Sequence, residues 1–300
     1  SCMRGKTSGK SIAPAAGFAG VVLGAAAVGA AAVAVGARGL QLARTQLGVA
    51  RVKMVRVGSE RIRVLQQGGV YQSATYVDEH RFEPVFSYIA AFDALFEAED
   101  DMRATADHGI DRVLMLGGGG YSYPKHALTC HPNLRMDVVE LDHTITHLAE
   151  RWFYLDELES LAGDRLHLIC EDARAYMTQA LAEGARYDAV VNDCFSGCEP
   201  VRCLATIEAL CQVKVCLRPG GLYLANIVST DEGENIEFLR DATATAAAVF
   251  SHVHIIPCVD EDLGGEDNYL LIATDGDYAF DGEVPIEREF LGAMLRDASC

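Results

Sequence analysis

Between residues 112 and 274, short apolar runs alternate with stretches of helical spacing, and this alternation restricts the fold more than any other feature. RVLMLG at 112–117, RMDVVELD at 135–142, RLHLICED at 165–172 and YDAVVND at 187–193 are rich in Val, Leu and Ile. Runs that are apolar on both faces read as strands buried between two layers. Helical patterns at 144–154, 173–182 and 204–217 lie between or after them. GGLYLANIV at 220–228 follows a Pro-Gly-Gly turn, then come a helix at 235–250 and strands at 252–259 and 268–274. The pattern predicts an α/β fold with a mostly parallel seven-stranded sheet under helices on both faces. Only a loop joins the last two strands, so they pair antiparallel.

Upstream, KMVRVGS, ERIRVLQQ and GVYQSATYV alternate apolar and polar residues around glycine turns. They predict a small β appendage at 52–80, ahead of the main domain at 81–300. Residues 78–99 carry Phe82, Val85, Phe86, Ile89, Phe92, Leu95 and Phe96 at helical spacing, with Pro84 in the first turn. Residues 1–51 form a basic tail. Within it, 11–37 has no charged residue and is long enough to span a bilayer, although Ala and Gly dominate it. A single membrane anchor is the leading expectation, and a secretory signal and a soluble Ala-rich helix are its alternatives.

Charge divides the chain. Residues 1–63 hold ten Lys/Arg and one acid, Glu60; the rest hold 15 Lys/Arg and 42 acids. The main domain therefore repels nucleic acid, and an acidic cleft suits a cationic ligand. The ten cysteines do not look like a disulfide framework, since Cys170 lies in a strand-like run and Cys211 and Cys216 in a helical pattern. They read as buried free thiols in a reducing, cytoplasmic setting, with the catalytic domain on the cytoplasmic side if the tail is anchored. Cys194, Cys198 and Cys203 lack paired metal spacing. His143 and His147 are four apart on a helix without a third ligand, so no metal is expected.

RVLMLGGGGYSYPKH sets four glycines directly after a strand and before a helix that starts near Pro124. Glycines let backbone approach a ligand, and a helix start offers free N–H groups. Gly117, Gly118 and Gly119 are the candidate cradle. Glu140 ends the next strand, 23 residues after Gly117, where an acid can bond ribose hydroxyls. Asp172 ends the third strand and can accept from an adenine amino group or cap the next helix. Asp193 ends the fourth strand at the same sheet edge. No Lys follows the glycines in P-loop fashion, so a sulfonium nucleoside fits better than a phosphate ligand.

With these four strand ends in hand, the chain resembles the polyamine aminopropyltransferases, the spermidine synthase family. That family lies within the Rossmann-like class I S-adenosylmethionine-dependent methyltransferase fold. The resemblance runs from about Arg61 to Thr274. VLMLGGGG looks like the glycine motif, VVELD the ribose-binding strand, CEDAR the adenine-side acid, and YDAVVND the strand that presents the catalytic aspartate. VYQSATYVDE resembles the segment that joins the N-terminal β domain to the first helix, which implies that Gln72 approaches the cofactor. The implied cofactor is S-adenosylmethionine or its decarboxylated form, and an oligomer, dimer or tetramer, is common in the family. Three positions depart from it. Gly120 stands where the family has an aspartate for the aminopropyl amine, Phe82-Glu83-Pro84 replaces a diamine-binding segment, and Ser196 replaces a second aspartate in the catalytic loop. DCFSG looks more like divergent, often membrane-linked, members.

On this reading Asp193 is the base that accepts the proton of an amine or other cationic acceptor. Tyr71, Tyr76, Glu83 and Ser196 are candidates for the acceptor pocket. Methyl transfer in the same pocket and a non-catalytic cofactor-binding role are the alternatives.

Overall fold

The computed structural model describes residues 34–35, 41–196, 199–229, 234–259 and 267–299. All but Ala34 and Val35 of the 11–37 segment lies outside the described residues. Among those described, no helix is long and apolar enough to cross a membrane.

The chain opens with a five-stranded antiparallel sheet in the order β1 to β5: β1 (Ala34–Val35), β2 (Gln41–Thr45), β3 (Gly48–Val57), β4 (Glu60–Gln67) and β5 (Val70–Tyr76). The expected appendage boundary at 52 falls inside β3. A tight turn at 45–48 pairs Thr45 with Gly48 and draws residues 41–51 into the sheet. The Thr45 hydroxyl closes that turn on the Gly48 carbonyl at 2.8 Å.

The continuous helix expected over 78–99 is three short ones: α1 (Ser87–Ala91), α2 (Ala94–Glu97) and α3 (Glu99–Ala106). The Asp78 side chain accepts from the His80 N–H at 2.9 Å, and Arg81 and Glu83 bond back to Asp78 and His80 carbonyls. These local bonds, with Pro84 lacking an N–H, hold residues 78–86 in turns. The apolar spacing still serves, because Phe92, Leu95 and Met102 are fully buried.

The second sheet has seven strands in the order β13-β14-β12-β9-β6-β7-β8. They are β6 (Arg112–Leu116), β7 (Arg135–Glu140), β8 (Leu166–Cys170), β9 (Tyr187–Asn192), β12 (Leu217–Ser229), β13 (His252–Cys258) and β14 (Asp267–Thr274), with a two-strand ladder of β10 (Phe195–Ser196) and β11 (Glu199–Pro200) between β9 and β12. β6 to β9 and β12 run parallel, and β14 inserts antiparallel between β12 and β13. Central β9 is buried along its length, as its apolar run requires. Edge strand β8 leaves Cys170 exposed, contrary to its reading as a buried thiol. The helices α4 (Ser122–Cys130), α5 (His143–Trp152), α6 (Leu155–Ala162), α7 (Ala173–Ala182), α8 (Ile207–Cys216) and α9 (Glu234–Val249) connect the strands. Asp142, Asp172 and Thr206 cap α5, α7 and α8 by accepting from Thr144, Ala175 and Ala209 N–H groups.

Two buried acids tie down the strand starts. Asp188 Oδ2 accepts from the Asp111 and Arg112 N–H groups at 2.9 and 2.8 Å, and its Oδ1 meets Arg218 at 3.2 Å and His108 at 3.0 Å. Asp137 is held by Arg112, Tyr187 and His167 at 2.7–2.8 Å, and these donors outweigh its burial to keep its carboxyl below the ordinary range. Replacing Asp188 by Ala leaves two strand-start N–H groups and a guanidinium without their acceptor. A loss of about 3 kcal/mol in urea unfolding is expected.

Candidate active site

A cavity of about 960 Å3 opens at the carboxyl edge of the parallel strands, and residues of the antiparallel sheet line its other side. Gly117, Gly118, Gly119, Glu140, Asp172, Asp193, Gln72 and Tyr71 all line it, so eight of the site residues expected from sequence meet in one place. Tyr76 and Glu83 do not line it. Tyr76 lies at the far end of β5 with its ring edge toward His80, and Glu83 is exposed and bonded to His80 Nδ1 at 2.9 Å. Tyr76 is placed there by the run of β5, and Glu83 by the turns that follow Asp78. Ser196 lies in β10 paired with Glu199, and its side chain is outside the described residues.

The glycine loop is fixed by contact and not by composition alone. Gly117 has φ +92°, and a Cβ there would lie 2.5 Å from the Asp193 carbonyl oxygen. The Asp193 N–H bonds the Leu116 carbonyl at 2.9 Å, so the ends of β6 and β9 are locked together. Glu140 Oε2 accepts from the Gly118 and Gly119 N–H groups at 3.0 and 3.1 Å, and its Oε1 accepts from Asp142 N–H at 3.0 Å. Glu140 thus shapes the loop. Asp172 caps α7 by accepting from Ala175 N–H, and it also lines the cavity.

Gly120 faces a different wall. A Cβ on it would meet Ser73 Oγ at 2.3 Å and Phe153 at 3.1 Å. Ser73 Oγ is 3.0 Å from Ser122 Oγ, which bonds the Ala74 carbonyl at 3.2 Å. The space that a family aspartate side chain would enter is filled by a seam between β5 and α4.

Asp193 is half-buried, and burial raises its carboxyl from an ordinary 3.8 to about 6, although hydrogen bonds from Asn226 and Tyr88 favour the ionised form. The Asn226 amide donates to Oδ1 at 3.0 Å. Sequence reasoning missed Tyr88, which lies between Phe86 and Ile89 of the apolar stripe and carries no motif of its own. It missed Asn226 as well, although a lone amide inside the apolar strand GGLYLANIV was a visible signal. Asp142 and Glu171 complete five carboxylates around the cavity, with no Lys, Arg or His among the described lining residues. The volume, the close-approach glycines and this charge fit a sulfonium nucleoside.

A doubly covered parallel sheet with its cavity over the glycine turn defines a Rossmann-like nucleoside-binding domain of the methyltransferase type. The spermine/spermidine synthase domain model matches residues 101–259, and the chain belongs to that family. A polyamine aminopropyltransferase of Vibrio vulnificus is 34% identical over 122 residues, covering 41% of this chain and 39% of that protein. An eEF1A lysine and N-terminal methyltransferase homolog of Drosophila melanogaster is 31% identical over 147 residues, covering 47% of this chain and 21% of that protein. The chain thus spans less than half the length of these relatives. A solved probable spermidine synthase from Corynebacterium glutamicum shares the fold with TM-score 0.60 and 21% identity, over 79% of this chain and 81% of that one.

Gly117→Ala forces both a positive φ on alanine and a collision with Asp193 backbone. Its expected cost is about 2 kcal/mol or more in thermal or urea unfolding, together with at least tenfold weaker S-adenosylmethionine binding by calorimetry.

Proposed function

We propose that the chain transfers an aminopropyl group from a sulfonium nucleoside, decarboxylated S-adenosylmethionine, to an amine acceptor held beside Asp193. The observation that carries this reading is Asp193 itself. It is a half-buried carboxylate at the strand end, its pKa pushed up to about 6, in a cavity lined by four further acids. When bound, the sulfonium supplies an electrophilic carbon and a neutral leaving group. Asp193 accepts the proton that an ammonium acceptor must lose before its nitrogen can attack. Tyr88 and Asn226 hold the carboxylate in one orientation while it does so. Glu140 is suited to the ribose hydroxyls and the glycine loop to the sulfonium side, so positioning makes up much of the expected rate gain. The acidic lining draws both cations in.

Methyl transfer from S-adenosylmethionine is the second reading, favoured by the filled space at Gly120. With no carboxylate there, a cofactor that keeps its own carboxylate meets no opposing charge. Release of methylthioadenosine from the decarboxylated cofactor with an amine panel supports the first reading. Formation of S-adenosylhomocysteine with the same panel would replace it with the second.

Asp193→Asn is expected to lower turnover at least 100-fold while cofactor affinity stays within a few-fold; unchanged turnover would make Asp193 a loop acid only. In the unaltered chain, kcat/KM should fall about tenfold per pH unit below about 6, as the base becomes protonated. The stability sign is opposite. A carboxyl raised in the folded state holds its proton more tightly there, so stability is greatest below about pH 4 and is lost as pH rises through about 6. Asp193→Asn should therefore melt higher than the parent at pH 7.5, by a few degrees for about 2 kcal/mol, and equally at pH 4.

A further inference from the structure

Within CEDAR, Glu171 and Asp172 line the cavity, whereas Arg174, in the first turn of α7, does not. Its guanidinium reaches three other segments. Nη1 donates to the Cys203 carbonyl at 2.7 Å, and Nε donates to Gln212 Oε1 at 3.0 Å. Nη1 and Nη2 take the two oxygens of Asp297 at 2.9 and 3.0 Å. The Thr206 hydroxyl donates to Asp297 Oδ1 at 2.6 Å while its oxygen caps α8. Arg174 and Thr206 hold the Asp297 carboxyl at about 2, so it is ionised near neutral pH.

Asp297 belongs to a strap, residues 290–297, that runs along α9 to the start of α8. The Phe290 carbonyl accepts from Arg240 Nε at 2.7 Å, Ala293 N–H donates to Asp241 Oδ1 at 2.7 Å, and Leu295 N–H donates to Thr245 Oγ1 at 2.9 Å. Ile207 N–H donates to the Leu295 carbonyl, and Asp297 N–H to Glu208 Oε2, both at 3.0 Å.

Cys203 and Thr206 lie where the loop that leaves Asp193 returns to α8. Val201 N–H bonds the Cys194 carbonyl at 3.3 Å, and Leu204 N–H bonds the Val201 carbonyl at 3.0 Å. Cys194, Val201 and Leu204 line the cavity. Strand order sets this wall on the β9 side of the glycine loop, away from Glu140 and Asp172 at the ends of β7 and β8. The loop has little regular structure of its own, since β10 and β11 have two residues each. A planar guanidinium in a bidentate carboxylate pair supplies fixed geometry that such a loop lacks. We infer that the strap, through Asp297 and Arg174, fastens the loop returning from Asp193 and so sets the acceptor side of the cavity. Both are positioning residues, and their bearing on the acceptor rests on the transfer reading above.

The test uses the full chain and Asp297→Asn, which keeps the side chain's shape and removes its charge. Hydrogen exchange at the Val201, Leu204 and Ala205 N–H groups is expected to quicken about tenfold, with β6 and β9 unchanged. The acceptor KM should rise about tenfold, with kcat within about threefold and the S-adenosylmethionine Kd within about twofold of the parent. Asp297→Glu, which keeps the charge, should bring exchange and KM most of the way back. The melting temperature should move little, because the pair is partly exposed. Unchanged exchange at 201–205 overturns the inference. Faster exchange there with an unchanged acceptor KM also overturns it, since the wall would then not serve the acceptor. A lowered melting temperature with faster exchange across the whole seven-stranded sheet would make the strap a general stability element and overturn it too. Failure of the parent chain to release any transfer product with the amine panel would overturn the transfer reading, and exchange at 201–205 would still decide the fastening by itself.

Discussion

The approach of Gly117 to the Asp193 backbone is the contact on which the site depends. No side chain fits between them, and the Asp193 N–H is bonded to the Leu116 carbonyl. Adjacent parallel strands β6 and β9 therefore end in register, with a glycine turn on one and a carboxylate on the other. The Glu140 carboxylate reaches across from β7 to gather the next two glycine N–H groups. Three consecutive strands of the sheet thus share one hydrogen-bonded rim. The cavity is a consequence of that rim, since the glycine loop folds back on β6 and leaves the strand ends uncovered.

The two edges of the sheet treat charge in opposite ways. At the amino edge, Asp137 and Asp188 are surrounded by guanidinium, imidazole, phenol and backbone donors. They are compensated and serve to align strands. At the carboxyl edge, Glu140 is satisfied by backbone N–H groups alone, and Asp193 by two neutral side chains. A chain of net charge −18 with five acids around one cavity accumulates negative potential there. Burial without a cation is what holds the Asp193 carboxyl high.

Much of this was legible in sequence because strand, glycine turn and terminal acid are local patterns. The sheet, its antiparallel last pairing and the meeting of Gly117, Glu140, Asp172 and Asp193 all follow from alternation and strand ends. What escaped the sequence was non-local or decided by short-range bonding. The helix expected over 78–99 broke because Asp78 and Pro84 favour turns, which no apolar periodicity reveals. Within that broken segment Glu83 lies away from the cavity and Tyr88 lines it. The hairpin at 45–48 was hidden in a basic tail, since its turn is recognised only once β3 has a partner. Gly120 read in sequence as a missing aspartate, and only the structure shows that the space beside it is taken by Ser73, forty-seven positions earlier.

These features bear on one another through Asp193. In the proposed aminopropyl transfer, an amine would reach the cavity as an ammonium ion, drawn by uncompensated acids. Its charge beside Asp193 supplies the cation that the carboxylate lacks, and an adjacent cation lowers a carboxyl pKa. Arrival of the acceptor therefore favours the ionised form of the base that must receive its proton. The proton then passes to Asp193 before the nitrogen attacks, because an ammonium nitrogen has no lone pair to offer. A carboxyl near 6 in the empty cavity and lower beside an ammonium ion is matched to both steps at neutral pH. A fully solvated aspartate would be too weak a base for the second step, and one paired with an arginine would have no call on the amine. The neutral partners Tyr88 and Asn226 are thus as necessary as the acid, because they orient it without neutralising it.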